Sequence, residues 1–236
     1  MDRSRLDLAQ VRVQRQEATQ SLLGDTIAIT DEQWNMPCLL PGWTRAHVAT
    51  HIARNADAFV RVMDQLRHGH PTSMYDSDDT RNEAIERGSE RSALDLQVDL
   101  DSSAGHLHAN LAELMTMPPD KLVRLSPTLT VRLDRLPIAR LNELVLHHID
   151  LDIGYTYKQI DPKVAAWLLA FNAQRIGRTS AHQAIRIASD SGVTAVIGGS
   201  GKATVVRGAD NYLLAWITGR LPAGERDKRL PLMRCC

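Results

Sequence analysis

Four long stretches within the first 160 residues have the composition and spacing of amphipathic α-helices. In the clearest of them, residues 45–67, one face carries apolar side chains and an asparagine at three- and four-residue steps. This face consists of Val48, Ile52, Asn55, Phe59, Val62, Met63 and Leu66. The turn residues Pro41 and Gly42, followed by Thr44 as a suitable N-cap, predict where the helix begins. Four helices in so short a length predict a helical bundle.

The other three helices of the predicted bundle are residues 4–23, 92–117 and 137–157. The first of them contains no proline or glycine and is rich in residues that favour helices. The second stops before Pro118 and Pro119, which cannot continue a helix, and Pro137 suits the first turn of the last. A short helical piece is expected over residues 81–87, and residues 121–134 are expected to be extended.

The last third of the chain has a different pattern. A helix over residues 162–178 precedes three short β-rich runs, and a final helix over residues 209–218 stops at Gly219. The β-rich runs are residues 184–188, 193–197 and 203–207. The predicted fold class is therefore α+β, with an up-down-up-down four-helix bundle over residues 1–160 and a small α/β domain over residues 161–236.

The charge balance argues against nucleic acid as a partner. Lys plus Arg and Asp plus Glu both number 28, so no net positive field attracts a polyanion or an anionic membrane. No run reaches the roughly 18 apolar residues of a membrane span, and the charged N-terminus does not resemble a secretory signal. The three cysteines, Cys38, Cys235 and Cys236, fit a reducing compartment. A soluble, cytoplasmic protein is expected.

Two places in the predicted bundle could contribute metal ligands. Glu143 and His147 are four residues apart on the last helix, so both side chains can reach one ion, although such a pair also occurs as a surface contact. His51 borders the apolar face of the second helix, where a histidine can also be a satisfied core residue. Spacing alone cannot join His51 to residues that follow 92 positions later.

Motifs for a protein nucleophile or a phosphate loop are missing from the sequence. The glycine-rich run 198–201 resembles a phosphate loop, but Val196 stands where the first glycine is required and Ala203 replaces the hydroxyl residue. The sequence contains no Gly-x-Ser-x-Gly elbow and no Cys-x-x-Cys pair. Chemistry at a metal would therefore depend on a nucleophile from outside the chain.

Residues 41–51, with Gly42-Trp43-Thr44 leading into the second helix and His51 following, resemble the signature of DinB-like metal-binding bundles. The segment from Glu143 to Leu151 resembles the later motif of the same superfamily, in which the fourth helix supplies two further ligands. The resemblance implies that His51, Glu143 and His147 hold one divalent metal ion. Zinc is the expected metal, although two histidines and a glutamate also suit iron, nickel or cobalt.

Several other segments are similar to the mycothiol-dependent maleylpyruvate isomerases. These segments are Met74-Tyr75, Arg81 to Ile85, Gly88, and Gly208 to Arg220. The family isomerises maleylpyruvate to fumarylpyruvate in gentisate degradation, using the thiol mycothiol and a C-terminal domain that covers the metal site. By this resemblance, Arg220 and Arg81 are expected to be catalytic and to contact thiol or substrate. Asp150, three residues after His147, could either orient a ligand imidazole or brace the helix by a salt bridge, and Tyr75 is expected to be a packing residue.

Other functions fit the same resemblance. A mycothiol-dependent S-transferase or detoxification enzyme would keep the metal and thiol sites but accept another electrophile. A non-catalytic metal-binding module, or a purely structural helical protein, would need no thiol at all. Small molecules, an electrophile and a low-molecular-weight thiol, are the expected partners of the enzyme.

Overall fold

The computed structural model describes residues 8–111, 117–126, 129–177, 184–199, 201–227 and 230. The chain divides into two compact units, Met1–Ile153 and Gly154–Cys236. No helix in the described part of the chain combines the length and the apolar character that a membrane span needs.

Four long helices form the main body of the first unit, and two shorter helices accompany them. In chain order the helices are α1 (Leu8–Thr26), α2 (Asp31–Trp34), α3 (Arg45–Arg67), α4 (Asp78–Ser89), α5 (Ala93–Leu111) and α6 (Leu136–Asp150). Helix α1 packs on α5 and α6, and α3 packs on the same two helices, so these four form a closed bundle. Helix α4 packs against α3. An antiparallel hairpin of β1 (Leu122–Ser126) and β2 (Leu129–Arg132) lies between α5 and α6 in the chain.

The apolar face predicted for α3 is buried along its whole length. Val48, Phe59 and Val62 are at most 1% exposed, and Asn55 is buried beside them. Each fully buried aliphatic or aromatic side chain of this kind stabilises the fold by about 1.5–3 kcal/mol. The same face places His51 inside the bundle, only 5% exposed.

Two predicted helix ends differ from the structure. Helix α1 runs through Gly24 to Thr26, because the Thr26 hydroxyl donates to the carbonyl of Leu22, 2.8 Å away, within the final turn. Helix α5 is described through Leu111, and Met117, which the sequence predicts to be helical, lies in a bend. Residues 4–7, 112–116 and 178 of the predicted helices lie outside the described residues.

The prediction that the last bundle helix reaches Tyr157 was wrong, because α6 ends at Asp150. Asp152 has a φ of 54°, a left-handed conformation that no α-helix contains. The guanidinium of Arg45 donates to the carbonyls of Leu151 and Asp152 at 2.8 Å each. Arg45 thereby satisfies carbonyls that the end of the helix leaves free.

The second unit combines two helices with a three-stranded sheet. Its elements are α7 (Pro162–Ile176), β3 (Ile185–Ser189), β4 (Thr194–Ile197), β5 (Thr204–Gly208) and α8 (Asp210–Ile217). The strand order is β4-β3-β5, with β3 antiparallel to β4 and parallel to β5. All three β-rich runs predicted from the sequence are strands, displaced by about one residue. The α+β fold class is confirmed.

Candidate metal centre

Three potential ligand atoms of the first unit converge inside the bundle. His51 Nε2 lies 3.0 Å from His147 Nε2 and 3.2 Å from Glu143 Oε2. His147 Nε2 lies 3.5 Å from the same carboxylate oxygen. The structure thus brings together the three residues that the sequence resemblance had joined.

Local sequence explains how the helices present these side chains. Glu143 and His147 are four residues apart on α6 and therefore lie on one face. The buried guanidinium of Arg140, one turn before Glu143, donates to the carbonyl of Ile52 at 2.9 Å and to Asn55 Oδ1 at 2.6 Å. Since both acceptors are on α3, the hydrogen bonds of Arg140 join α6 to α3 next to His51. Sequence reasoning missed this residue; the signal was the polar Asn55 on an otherwise apolar face.

The donor set fits zinc. With zinc-to-ligand bonds of roughly 2.0–2.1 Å and tetrahedral angles, neighbouring ligand atoms are about 3.3 Å apart. The three observed separations, 3.0, 3.2 and 3.5 Å, scatter around that value. Two imidazole nitrogens and one carboxylate oxygen also leave a tetrahedral ion one open position, which is the pattern of catalytic rather than structural zinc sites.

Asp150 orients one of these histidines. His147 Nδ1 donates to Asp150 Oδ2 at 2.8 Å, and the Asp150 side chain is fully buried. This hydrogen bond places the His147 proton on Nδ1 and leaves the lone pair of Nε2 directed at the other two candidate ligands. The contact expected between Asp150 and a ligand imidazole is therefore present.

Burial and mutual contacts set the ionisation of the three groups. Burial, followed by the nearby His147, lowers the pKa of His51 to about 4. Burial acts to raise the pKa of Glu143, but its contacts with the rings of His147 and His51 outweigh burial and hold this pKa well below its usual range. Burial likewise opposes protonation of His147, yet the bonds to Asp150 and Glu143 raise its pKa. At neutral pH, His51 and Glu143 are therefore unprotonated at the atoms that would bind a cation, whereas protonation of His147 would oppose metal binding.

Arg81, on α4, also reaches this centre. Its Nη2 atom lies 3.1 Å from His51 Nδ1, and its Nη1 atom donates to Asn82 Oδ1 at 3.0 Å. The sequence resemblance had assigned Arg81 to thiol or substrate, and the structure adds a direct contact to a candidate ligand. In the described part of the chain, no carboxylate lies within ion-pairing distance of Arg81.

Tyr75 lies beside Arg81, in the loop before α4. The guanidinium carbon of Arg81 is 5.9 Å from the centre of the Tyr75 ring. The Tyr75 hydroxyl is buried and, among the described residues, meets no partner in hydrogen-bond geometry. Burial raises its pKa to about 12, so the hydroxyl keeps its proton at neutral pH. The prediction for Tyr75 is a packing residue; in the structure its hydroxyl is buried close to the guanidinium of Arg81.

Arg220 belongs to the second unit and lies three residues after the end of α8. Its side chain is 8% exposed, and Nη1 donates to the carbonyl of Thr218 at 2.9 Å. Its backbone N–H donates to the carbonyl of Ala215 at 2.7 Å, as Gly219, with a φ of 74°, turns the chain after the helix. The catalytic role expected for Arg220 stays a prediction.

Two solved structures resemble this chain over nearly its full length. One is the crystal structure of a mycothiol-dependent maleylpyruvate isomerase, at 23% sequence identity and a TM-score of 0.83. The other is that of a mycothiol-dependent maleylpyruvate isomerase with a histidine-to-alanine substitution, at 22% identity and the same TM-score. Each match covers 97% of both chains. At these identities the likeness establishes the fold.

Sequence comparison identifies the family. No curated protein matches the chain. Residues 15–152, which include all three candidate ligands, match the model of the mycothiol maleylpyruvate isomerase N-terminal domain. Because this match covers more than half of the chain, the protein belongs to the mycothiol maleylpyruvate isomerase family.

Proposed function

We propose that this protein is a mycothiol-dependent isomerase that converts maleylpyruvate to fumarylpyruvate, with zinc bound by His51, Glu143 and His147. The observation that carries the proposal is the convergence of three ligand atoms, 3.0–3.5 Å apart, within the domain that defines the family. The candidate nucleophile is the thiol, because the sequence offers no activated protein nucleophile.

The chemistry suits this donor set. Zinc with three protein ligands supplies an open position where an external thiol becomes a thiolate near neutral pH. In the proposed reaction, the cis double bond of maleylpyruvate gains the sulfur, the resulting single bond rotates, and loss of the sulfur leaves the trans double bond. The thiol is regenerated, so no oxidant or reductant is needed.

The chain's own residues bind and orient the reactants. Asp150 holds the His147 ring through Nδ1, and Arg140 holds α6 against α3. These contacts within the protein fix the spacing of the three candidate metal-binding side chains. Arg81 supplies a guanidinium that can bind a carboxylate through two parallel hydrogen bonds. We assign Arg220 to the negative charge that develops on the conjugated carbonyl during addition.

The direct test is turnover of maleylpyruvate by zinc-loaded protein with and without mycothiol, compared with glutathione as a second thiol. The expected result is isomerisation that requires both zinc and mycothiol. His51→Ala should lose activity by at least about 100-fold, the usual cost of removing a group from a catalytic unit. His68→Ala is the matched control, because His68 is an exposed histidine at the C-terminal end of the same helix.

Other outcomes separate the rival functions. Thiol-dependent consumption of a different electrophile, without isomerisation, would assign the protein to S-transfer or detoxification. Stoichiometric zinc without any thiol-dependent reaction would indicate a non-catalytic metal-binding module. Either result would contradict the proposed isomerase.

A further inference from the structure

A groove runs between α1 and α5, two helices that carry none of the candidate metal ligands. Its lining includes Arg15 and Thr19 on α1 and Gly105 and His108 on α5. The groove has a volume of about 530 Å³, including space open to solvent, which is enough for a small organic ligand. Arg15 is only 4% exposed, so the groove has a buried arginine in its wall.

Arg15 is a buried cation without a counterion. Among the described residues its side chain has one partner, His108, whose Nδ1 atom lies 3.2 Å from Arg15 Nη2. The Nε–H group of Arg15 is buried and meets no acceptor in the same part of the chain, where no carboxylate lies within ion-pairing distance either. Buried charges are ordinarily paired, because it is costly to take an isolated charge out of water. An arginine in this setting therefore calls for an anion.

The charges around Arg15 do not neutralise it. Burial, followed by repulsion from Arg12, lowers the pKa of Arg15, yet an arginine keeps its charge near neutral pH. The one carboxylate among the described lining residues belongs to Asp101, which is exposed. Asp101 precedes His108 by seven residues on α5, or about 10 Å along the helix axis. The end of the groove at Arg15 and His108 is therefore positive.

His108 adds a second donor at this end. A guanidinium has N–H donors and no acceptor, so His108 Nδ1 accepts the hydrogen bond from Arg15. The neutral ring then carries its proton on Nε2. His108 is exposed, and within the described ranges its Nε2 atom has no hydrogen-bond partner. The imidazole can thus donate to a ligand that lies in the groove.

We propose that this groove binds a small oxyanion, a carboxylate or a phosphate group, through Arg15 and His108. A planar guanidinium suits both groups, because it donates two parallel hydrogen bonds to neighbouring oxygens. A bound oxyanion would also balance the buried charge of Arg15. The inference is independent of the proposed function, since the groove shares no residue with the candidate metal centre and its ligand needs neither metal nor thiol.

The first test titrates the full-length wild-type protein with inorganic phosphate and, separately, with succinate, at constant ionic strength. NMR follows two resonances at the groove, the Nε–H group of Arg15 and the backbone amide of Gly105. The expected result is a saturable shift of both, with a Kd of about 1 mM or lower for at least one probe. The probe that binds more tightly identifies the chemical class of the ligand. Resonances that do not saturate with either probe would overturn the proposal.

The second test separates the groove from the candidate metal centre. Arg15→Met keeps a side chain of similar length without the charge, so the Kd measured at the Gly105 amide should rise by at least about tenfold, equivalent to one charge-assisted hydrogen bond. Arg81→Met is the control, because it removes the same charge beside His51. The control should leave the Kd at Gly105 within about twofold of the wild-type value. A loss of binding in Arg81→Met equal to that in Arg15→Met would overturn the proposal.

A third test leaves Arg15 in place, so that it does not depend on how the Arg15→Met protein folds. A Cβ atom added to Gly105 meets nothing within 4 Å. Gly105→Leu should therefore fill the groove without disturbing the helices, and should raise the Kd measured at Arg15 Nε–H by at least about tenfold. Gly24→Leu is the matched control, because Gly24 is a helical glycine of α1 with equally open surroundings and does not line the groove. Equal affinities of these two variants would contradict binding in the groove.

Discussion

Asp150 is a buried carboxylate that determines which nitrogen of the His147 ring carries the proton. Its side chain is fully buried, and it accepts the Nδ1 proton of His147 at 2.8 Å. Asp150→Asn keeps the shape but removes the charge, so the hydrogen bond weakens and Nε2 becomes a poorer ligand. We expect zinc affinity to fall about 10–100-fold, as is usual when the partner of a ligand histidine is changed. Asp152→Asn is the matched control, because residue 152 is exposed and asparagine tolerates its positive φ. Measured by competition with a chelator, the control should leave the zinc affinity unchanged.

Because His148, next to the candidate ligand His147, is buried, we expect the stability of the fold to depend on pH. Burial lowers its pKa to about 4, although Asp25 Oδ2 lies 3.1 Å from Nε2. The unfolded chain takes up this proton near pH 6.5, so unfolding is coupled to proton uptake as the pH falls below about 6.5. The free energy of unfolding should decrease over this window, by on the order of 3 kcal/mol down to about pH 4.

Denaturant unfolding at a series of pH values measures this effect. His148→Gln removes one titrating group and should make the acidic decline shallower, leaving the part contributed by His51, whereas His68→Gln should leave the decline as in the wild type. A decline of equal steepness in the His148→Gln protein would show that other groups cause it.

At the scale of the elements, close packing of α4 on α3 fixes where Arg81 lies. A Cβ atom added to Gly88 would overlap Cγ2 of Thr50 well inside van der Waals contact. Thr50 is β-branched and buried, so its side chain cannot easily rotate away. Gly88→Ala should therefore push α4 outward and lower the free energy of unfolding by about 1–3 kcal/mol, the usual cost of overpacking.

Two companion variants sharpen this prediction. Thr50→Ala removes the obstructing methyl group, so the Thr50→Ala/Gly88→Ala double variant should be more stable than the sum of the single effects predicts. Gly105→Ala on α5 is the control: a Cβ atom there has nothing within 4 Å, and alanine favours a helix interior by up to about 1 kcal/mol over glycine. Additive effects in the double variant would contradict the packing explanation.

Helix ends could be predicted where their signals are local. The bounds of α3 agree with the sequence prediction, because the signals that set them, Thr44 and the apolar face, lie in or beside the helix itself. At its start, the Thr44 N–H donates to His47 Nδ1 at 3.2 Å. The end of α6 was missed because it depends on Arg45, which donates to Leu151 from 106 positions earlier in the chain. No local pattern carries that information.

At the scale of the whole molecule, the fold class followed from patterns along the chain, but the candidate centre did not. His51 and Glu143 are 92 positions apart, and taken singly each has an ordinary structural explanation. Their association came from two motifs that resemble one family, and the structure brings the atoms to 3.2 Å. The contacts of Arg81 with His51 and of Arg140 with α3 depend on how the helices pack, which spacing along the sequence does not determine.

The central claim is that His51, Glu143 and His147 bind one zinc ion on which the proposed reaction depends. The most direct measurement is the zinc content of purified protein, after loading and removal of excess metal, for the wild type, His51→Ala and His68→Ala. We predict one zinc ion per chain in the wild type and in His68→Ala, and a loss of most of it in His51→Ala. A stoichiometric zinc content in His51→Ala, or none in the wild type, would contradict the account.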